Sequence, residues 1–135
     1  MAQTLNSKTA NRYRKLGWQV AFVETWNHYG GMRRDLFGFA DLLAIREGFP
    51  GVLAIQVTST ANHAARRRKI LASPLSKIWL AAGNEIELVS WYPAKSAKLL
   101  RVEFFSASGN YSNDAAKESS ANRRSRQPRV PAAAR

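Results

Sequence analysis

Three polar residues, Asp41, Gln56 and Thr58, are the side chains in this sequence whose types and spacing could do chemistry together. They lie in two short apolar segments, residues 40–46 and 52–58, which are separated by a Gly- and Pro-containing turn. This pattern predicts an antiparallel hairpin in which Asp41 lies directly opposite Gln56. Because side chains alternate between the two faces of a strand, all three polar groups then share the open end of the hairpin. A carboxylate on such an apolar surface is costly unless it is solvated, paired or bound to a metal ion.

Other elements must position this hairpin. The pattern predicts a helix near residues 4–16, a strand at 19–26, a basic helix from about 60 to 71, a second hairpin at 77–82 and 85–91, and a last strand at 99–105. The sequence therefore predicts an α/β fold in which helices flank a mixed central β-sheet. Residues 1–106 form this single domain in the prediction. Residues 107–135 are rich in Ser, Asn, Ala, Pro and Arg, and we expect them to form a disordered basic tail.

Composition limits the class of protein. The chain has 135 residues, no cysteine and a formal net charge of +12, and 45% of its residues are hydrophobic. The length and apolar fraction suit one domain with a real core. There is no apolar run of about 18 residues and no apolar core of a signal peptide near the N-terminus, so we expect no membrane span and a cytoplasmic location.

The positive charge predicts a polyanionic partner, for which nucleic acid is the first candidate and an anionic membrane surface the rival. A basic protein whose charge only keeps it soluble is the third reading. The clearest basic feature is the run from Arg66 to Lys69 on the predicted helix. Side chains that we expect to contact nucleic acid are Arg33, Arg34, His63, Arg66, Arg67 and Lys69.

The segments GFADLLAI (residues 38–45) and LAIQVTS (residues 53–59), in this order of elements, resemble the PD-(D/E)XK nuclease superfamily. Within it the chain is most similar to small members of the Holliday-junction-resolvase type and to phage-encoded members. The resemblance covers roughly residues 11–82. It implies a restriction-endonuclease-like fold, DNA as the substrate, Mg²⁺ or Mn²⁺ as the cofactor and a homodimer. A phage-encoded protein would work in the bacterial host cytoplasm.

The resemblance also implies roles for individual residues. Asp41 would bind the metal ion, Gln56 would replace the second acid of the motif, and Thr58 would replace its lysine. The backbone carbonyl of Val57 would add an oxygen ligand. An accessory carboxylate would come from Glu24 or Asp35, and Arg66 or Lys69 could supply the missing cation.

These residues also allow other readings. Asp41 could cap a turn, Asp35 could pair with a surface arginine, and Gln56 and Thr58 could be a strand edge. The chain departs from the family pattern because Gln56 is neutral and Thr58 carries no charge. Two functions therefore stay open. One is a metal-dependent endodeoxyribonuclease that acts on DNA, including branched DNA in recombination or repair. The other is a nuclease-fold protein that has lost catalysis and only binds nucleic acid. A basic repressor or an RNA-binding protein also fits the charge, although no helix-turn-helix or RNA-recognition motif supports either.

Overall fold

The computed structural model describes residues 4–27 and 32–116. Within these ranges it contains three α-helices and eight strands. The helices are α1 (Leu5–Lys15), α2 (His63–Ala72), which follows a 3₁₀ turn at Thr60–Asn62, and α3 (Pro74–Ala81). The strands are β1 (Gln19–Phe22), β2 (Thr25–Asn27), β3 (Met32–Arg34), β4 (Leu42–Ile45), β5 (Leu53–Ser59), β6 (Glu85–Trp91), β7 (Lys98–Ser106) and β8 (Gly109–Ala116).

Six strands form one mixed sheet in the order β1-β4-β5-β6-β7-β8, and β2 pairs with β3 in a separate ribbon. Strands β5 and β6 are parallel, and the other neighbouring pairs are antiparallel. The parallel pair requires a crossover, which α2 and α3 provide. The prediction of a mixed central sheet flanked by helices is therefore confirmed.

The helices cover opposite faces of the sheet. On one face, Ala10 and Tyr13 of α1 pack with a core that includes Ile55 and Val57. On the other face, Ile70 of α2 packs with a second core that includes Ala54, which neighbours Ile55 on β5. Because β5 contributes alternate residues to both cores, its residues from Leu53 to Thr58 are all buried. Strand β5 is thus covered on both of its faces.

Local signals explain the start of α1. The Thr4 side chain accepts a 3.0 Å hydrogen bond from the backbone N–H of Ser7, which is the usual geometry of an N-cap. Gly17 follows the helix with a φ of +98°, a conformation that glycine adopts without steric cost.

None of the helices in the described ranges is long and apolar enough to span a membrane.

The expected strand at residues 77–82 is wrong, because these residues belong largely to α3. Ser73 caps this helix by accepting a hydrogen bond from the N–H of Ser76, and Pro74 occupies its first turn. Proline is favoured there because its missing N–H would have had no partner inside the helix. The capping residues are therefore the sequence signal that favours a helix over a strand here.

The prediction that residues 107–135 form a disordered tail is also wrong for the first part of that segment. Residues 109–116 form β8, which pairs with β7 from Ser106↔Gly109 to Lys98↔Ala116. A hairpin turn at residues 106–109 holds this pairing, and the polar composition of β8 reflects its place at the edge of the sheet. The remainder of the expected tail, residues 117–135, lies outside the described residues.

Candidate functional site

The expected hairpin register is confirmed. Strands β4 and β5 pair as Leu42↔Ile55, Leu43↔Ala54 and Ala44↔Leu53, and one further step places Asp41 beside Gln56. The β4–β5 turn therefore sets the contact between the two polar residues.

Asp41 is buried, with only 3% of its surface exposed. Its Oδ2 accepts hydrogen bonds from the Gln56 amide at 2.9 Å and from the backbone N–H of Val57 at 2.8 Å. The Asp41 backbone N–H also donates a 2.9 Å hydrogen bond to the carbonyl of Ile55 on β5. The carboxylate is thus held in one orientation by two donors.

Two further acids converge on Asp41. Carboxylate oxygens of Glu24 and Asp35 lie within 4.8 Å of an oxygen of Asp41 and of each other. Asn6 of α1 donates a 3.4 Å hydrogen bond to Glu24, and the ammonium of Lys69 on α2 lies 3.7 Å from Asp35. The sequence predicted that one of these two acids would be accessory to Asp41, and the fold brings both to it.

The acid cluster disfavours three simultaneous negative charges. Burial raises the pKa of Asp41 to about 8, and a hydrogen bond with Asp35 and the negative charges of Asp35 and Glu24 act in the same direction. The hydrogen bond from the Val57 N–H lowers this pKa but does not offset the other effects. A cation placed among the three acids would act in the opposite direction and favour the ionised carboxylate of Asp41.

The cluster lines a cleft of ≈ 240 Å³. Its walls come from the start of α1, the acids, β5 and α2, and the lining residues are Thr4, Leu5, Asn6, Glu24, Asp35, Asp41, Gln56, Val57 and Arg66. The Oε1 atom of Gln56 is buried and has no hydrogen-bond partner among the residues that the structure describes. An unsatisfied buried carbonyl oxygen costs about 1–3 kcal/mol, and a cation that accepts this oxygen as a ligand would offset that cost.

These donors fit a hard divalent cation. Mg²⁺ and Ca²⁺ prefer carboxylate and carbonyl oxygens at about 2.0–2.6 Å, so oxygens bound to one ion are at most roughly 4–5 Å apart. The three acids are within or near this range. The peptide N–H of Val57 points to the same side of β5 as Asp41, and in a strand the carbonyl of a residue points the same way as its N–H. The residues present therefore suit a hard divalent cation, and the Mg²⁺ or Mn²⁺ that the resemblance implies stays a prediction.

Thr58 does not join this set. It shares the face of β5 on which Gln56 lies and is buried, but it is not among the described residues that line the cleft. Of the two basic residues considered as its substitute, Arg66 lines the cleft directly, and Lys69 reaches Asp35. The positive charge at this site comes from α2.

His63 is not the surface residue that the sequence predicted. Only 4% of its surface is exposed, and its ring nitrogens contact Ser90 Oγ at 2.5 Å and Glu103 Oε1 at 3.0 Å. Such a residue cannot contact a phosphate from the surface, so its expected role in nucleic-acid binding is wrong. The isolated histidine in a basic stretch gave no sign of the two distant partners on β6 and β7.

Arg67 also takes part in this buried network. Its Nε donates to Glu103 at 2.7 Å, and Asn110 donates to the same carboxylate at 2.6 Å. Burial alone would raise the pKa of Glu103, but the hydrogen bonds from Arg67, His63 and Asn110 outweigh it and lower the pKa. Part of the basic run on α2 is therefore structural.

The other expected nucleic-acid contacts have mixed outcomes. Arg34 is exposed, and Arg66 is partly exposed at the cleft. Arg33 lies on β3, but its side chain falls outside the described residues. Sequence reasoning missed Asn6, which lines the cleft. The signal that could have found it is the N-cap at Thr4, which fixes the start of α1.

No family model, curated protein or solved structure matched this chain. The resemblance to PD-(D/E)XK nucleases, with its restriction-endonuclease-like fold, therefore stays a prediction.

Proposed function

We propose that this protein is a divalent-metal-dependent endodeoxyribonuclease that hydrolyses phosphodiester bonds in DNA. The observation that carries the proposal is the convergence of the Glu24, Asp35 and Asp41 carboxylates in one cleft that Gln56 also lines. Two acids gathered around a buried, hydrogen-bonded Asp are costly to maintain without a cation. The net charge of +12 supports a polyanionic substrate.

Each residue of the cleft has a distinct task in this proposal. When bound, Mg²⁺ or Mn²⁺ would activate a water molecule and stabilise the charge that develops on the scissile phosphate. Asp41 supplies the central carboxylate, which its hydrogen bonds from Gln56 and Val57 hold in place. Glu24 and Asp35 add negative charge, and the carbonyl oxygens of Gln56 and Val57 add neutral ligands. Thr58, which we expected to be catalytic, has no task in the cleft.

Arg66 is the cation that contacts the phosphate in this proposal. It lines the same cleft as the acids, and its guanidinium can donate paired hydrogen bonds to phosphate oxygens. Hydrolysis adds the water oxygen to phosphorus and breaks the bond to one ester oxygen, which leaves with a proton. A guanidinium beside the phosphate stabilises the charge in this step.

A second function is favoured by one specific observation. The hydrogen bonds from Gln56 and Val57 satisfy Asp41 Oδ2 without any metal ion, and the Gln56 side chain is neutral. A nuclease-fold protein that has lost catalysis and only binds nucleic acid would retain this arrangement.

A cleavage assay separates the two functions. Purified wild-type protein is incubated with duplex, single-stranded and four-way DNA in the presence of Mg²⁺, Mn²⁺ or EDTA. Cleavage that needs a divalent ion and disappears in Asp41→Asn supports the nuclease. Binding to DNA without cleavage of any form under any of these conditions contradicts the nuclease and favours the binding-only protein. Preference for the four-way form would support the role in recombination or repair.

The assembly and location of the protein are part of the same proposal. A homodimer would let two sites cut two strands, and exposed apolar side chains at Leu71, Leu75 and Ile78 offer it a surface on α2 and α3. Sedimentation of the purified protein measures this directly. The proposed site of action is the cytoplasm, of the bacterial host if the protein is phage-encoded, and cell fractionation tests it.

A further inference from the structure

Phe37 is an exposed aromatic residue in a strained backbone conformation. Its surface is 52% exposed, although phenylalanine is normally buried. Its φ is +56°, and among the described residues it is the one non-glycine residue with a positive φ. Bulky side chains rarely adopt this region, and such outliers concentrate at functional sites. Gly38, the next residue, also has a positive φ of +82°.

The position of Phe37 links it to the acid cluster. It lies in a tight loop closed by hydrogen bonds between Leu36 and Ala40. Asp35 immediately precedes this loop and Asp41 immediately follows it. Because two residues of extended chain span at most about 7 Å, the backbone of Phe37 lies within that distance of the backbone of Asp35. The loop thus places Phe37 in the short segment that connects two acids of the cleft.

Two other aromatic rings support Phe37 from the protein side. Its ring centroid is 6.3 Å from that of Phe39 and 6.3 Å from that of Trp79. Phe39 is fully buried, and the indole N–H of Trp79 donates to the carbonyl of Glu85, so both supports are fixed. Phe37 is therefore held against a rigid base while half of its surface stays exposed.

We propose that Phe37 is a stacking site for an unpaired nucleobase of the DNA whose phosphate occupies the adjacent cleft. This inference rests on the proposed function, because that function puts the backbone of a DNA strand beside Asp35 and Asp41. Bases adjacent to a phosphate reach outward from the backbone, and an exposed aromatic ring is the surface on which unpaired bases stack. In an intact duplex the bases are already stacked on each other, so the ring can engage only DNA with unpaired bases near the cut.

The surroundings favour a base over another apolar partner. Exposed basic residues Arg68 and Lys69 lie on α2, whose Lys69 contacts Asp35, and Arg66 lines the cleft next to it. A nucleic acid can stack a base on the phenyl ring and also place phosphates near the neighbouring positive charges, since each nucleotide carries an apolar face and a phosphate. The specificity that follows is for the structure of the DNA, because every base has a face that can stack.

The test measures binding of the full-length protein in EDTA, where no divalent ion supports cleavage. The two probes are an intact duplex and the same duplex with a three-nucleotide gap that contains 2-aminopurine. Phe37→Leu keeps an apolar side chain but removes the ring, and Phe37→Tyr keeps the ring. Phe22→Leu is the matched control, because Phe22 is 49% exposed and lies on β1 with Val20, which packs on the α1 side of the sheet.

We expect Phe37→Leu to lower affinity for the gapped DNA by about 5- to 100-fold. Affinity for the intact duplex should change less than twofold, and Phe37→Tyr and Phe22→Leu should bind both probes as the wild type does. Wild-type protein should also quench 2-aminopurine fluorescence on binding, and Phe37→Leu should not.

Three results would overturn the stacking site. They are an unchanged affinity of Phe37→Leu for the gapped DNA, an equal loss of affinity for both probes, and a loss in Phe37→Tyr as large as in Phe37→Leu.

The test of the stacking site and the test of the nuclease can fail independently of each other. Wild-type protein that cleaves in Mg²⁺ while Phe37→Leu binds normally would remove only the stacking site. Selective loss in Phe37→Leu without any wild-type cleavage would remove only the nuclease. Wild-type protein that binds neither probe would overturn both.

Discussion

The Gln56 side-chain amide donates a 2.9 Å hydrogen bond to Asp41 Oδ2, and this contact uses the amide nitrogen while Oε1 stays available as an acceptor. A neutral residue at this position therefore does two things. It fixes the acid through its nitrogen, and it keeps a buried carbonyl oxygen that has no hydrogen-bond partner within the described part of the chain. A glutamate could not make the first contact when both carboxylates are ionised.

Asp41→Asn tests this arrangement through metal binding. We expect 10 mM Mg²⁺ or Mn²⁺ to raise the melting temperature of the wild type, because a ligand that binds only the folded state stabilises it. In Asp41→Asn the ion should have no effect on melting, and divalent-dependent cleavage should be abolished. In EDTA at pH 8 the variant should melt at a higher temperature than the wild type, since a buried acid with a raised pKa is removed. Cleavage that survives the substitution would place the chemistry elsewhere.

Gln56→Glu and Thr58→Lys each restore one residue of the family pattern, and we expect different results from the two. Gln56→Glu adds a charge to the cleft, so we expect tighter Mg²⁺ binding measured by calorimetry and a lower melting temperature in EDTA. Thr58→Lys places an ammonium at a buried position outside the cleft, so we expect a loss of stability of several kcal/mol without a gain in cleavage. A more active Thr58→Lys would contradict the exclusion of Thr58 from the site.

The hairpin and its register were predictable because its segments have clear β patterns and a short turn fixes their pairing. That register brought Asp41 to Gln56. Glu24 and Asp35 were predicted as alternative accessory acids, and the sequence could not show which of them approaches Asp41. Their distance from Asp41 depends on how the β1 strand and the loop at residues 36–40 pack. The burial of His63 was not predictable, since its partners Ser90 and Glu103 are 27 and 40 residues away. The helix α3 was missed because its apolar sequence suits a strand as well as a helix.

Gly51→Ala should be far more destabilising than Gly48→Ala, although both glycines lie in the turn between β4 and β5. Their φ values are +84° and +86°, so an alanine is strained equally at both, at a cost of about 1–2 kcal/mol. At Gly51 the added Cβ would also lie 2.6 Å from the backbone oxygen of Gly83, whereas at Gly48 it would meet nothing within 4 Å. Urea denaturation measures both variants. Equal losses would show that the turn does not pack against the α3–β6 loop.

The buried acid Glu87 should make the protein less stable as pH rises. It accepts a hydrogen bond from the Tyr13 hydroxyl, but burial dominates and raises its pKa from 4.5 to about 7. The unfolded chain loses this proton near pH 4.5 and the folded protein near pH 7. Between these values the folded state binds more protons, so the free energy of unfolding falls as pH rises, by on the order of 3 kcal/mol in total.

Glu87→Gln isolates this effect. In EDTA, we expect the variant to lose less stability than the wild type between pH 5 and pH 8. Asp41, whose pKa is also raised, acts in the same direction, so part of the slope should remain. Tyr13→Phe removes the hydrogen bond that lowers the pKa of Glu87, so its slope should extend to higher pH. If the stability of the wild type is constant between pH 5 and pH 8, the result would contradict the raised pKa of Glu87.

Two truncations separate folding from binding at the C-terminus. Ending the chain after Ser106 removes β8, whose Asn110 donates to the buried Glu103 and whose Asp114 pairs with Lys98. We expect this chain to lose several degrees or more of melting temperature. Ending it after Ala116 removes six Lys and Arg residues but no part of the described sheet. That chain should melt as the full-length protein does, while its DNA affinity falls and depends less steeply on salt. Equal melting of both truncated chains would contradict a structural role for β8.

Arg66→Gln should separate a residue of the site from a residue that only attracts DNA. Arg66 lines the cleft that holds the three acids, whereas Arg68 is exposed on the same helix and is not among the described lining residues. A guanidinium beside the scissile phosphate acts on the charge that develops during cleavage, and losing such a group costs about 10²–10³ in rate. We therefore expect Arg66→Gln to lower the rate of cleavage at saturating protein by that factor. The matched variant Arg68→Gln should change this rate less than threefold, although it weakens DNA binding and lowers the salt dependence by about one unit of slope. Mg²⁺ affinity, measured by calorimetry without DNA, should be equal or higher in Arg66→Gln, because a positive charge near the acids has been removed. Equal cleavage rates in the two variants would show that Arg66 contributes only to binding.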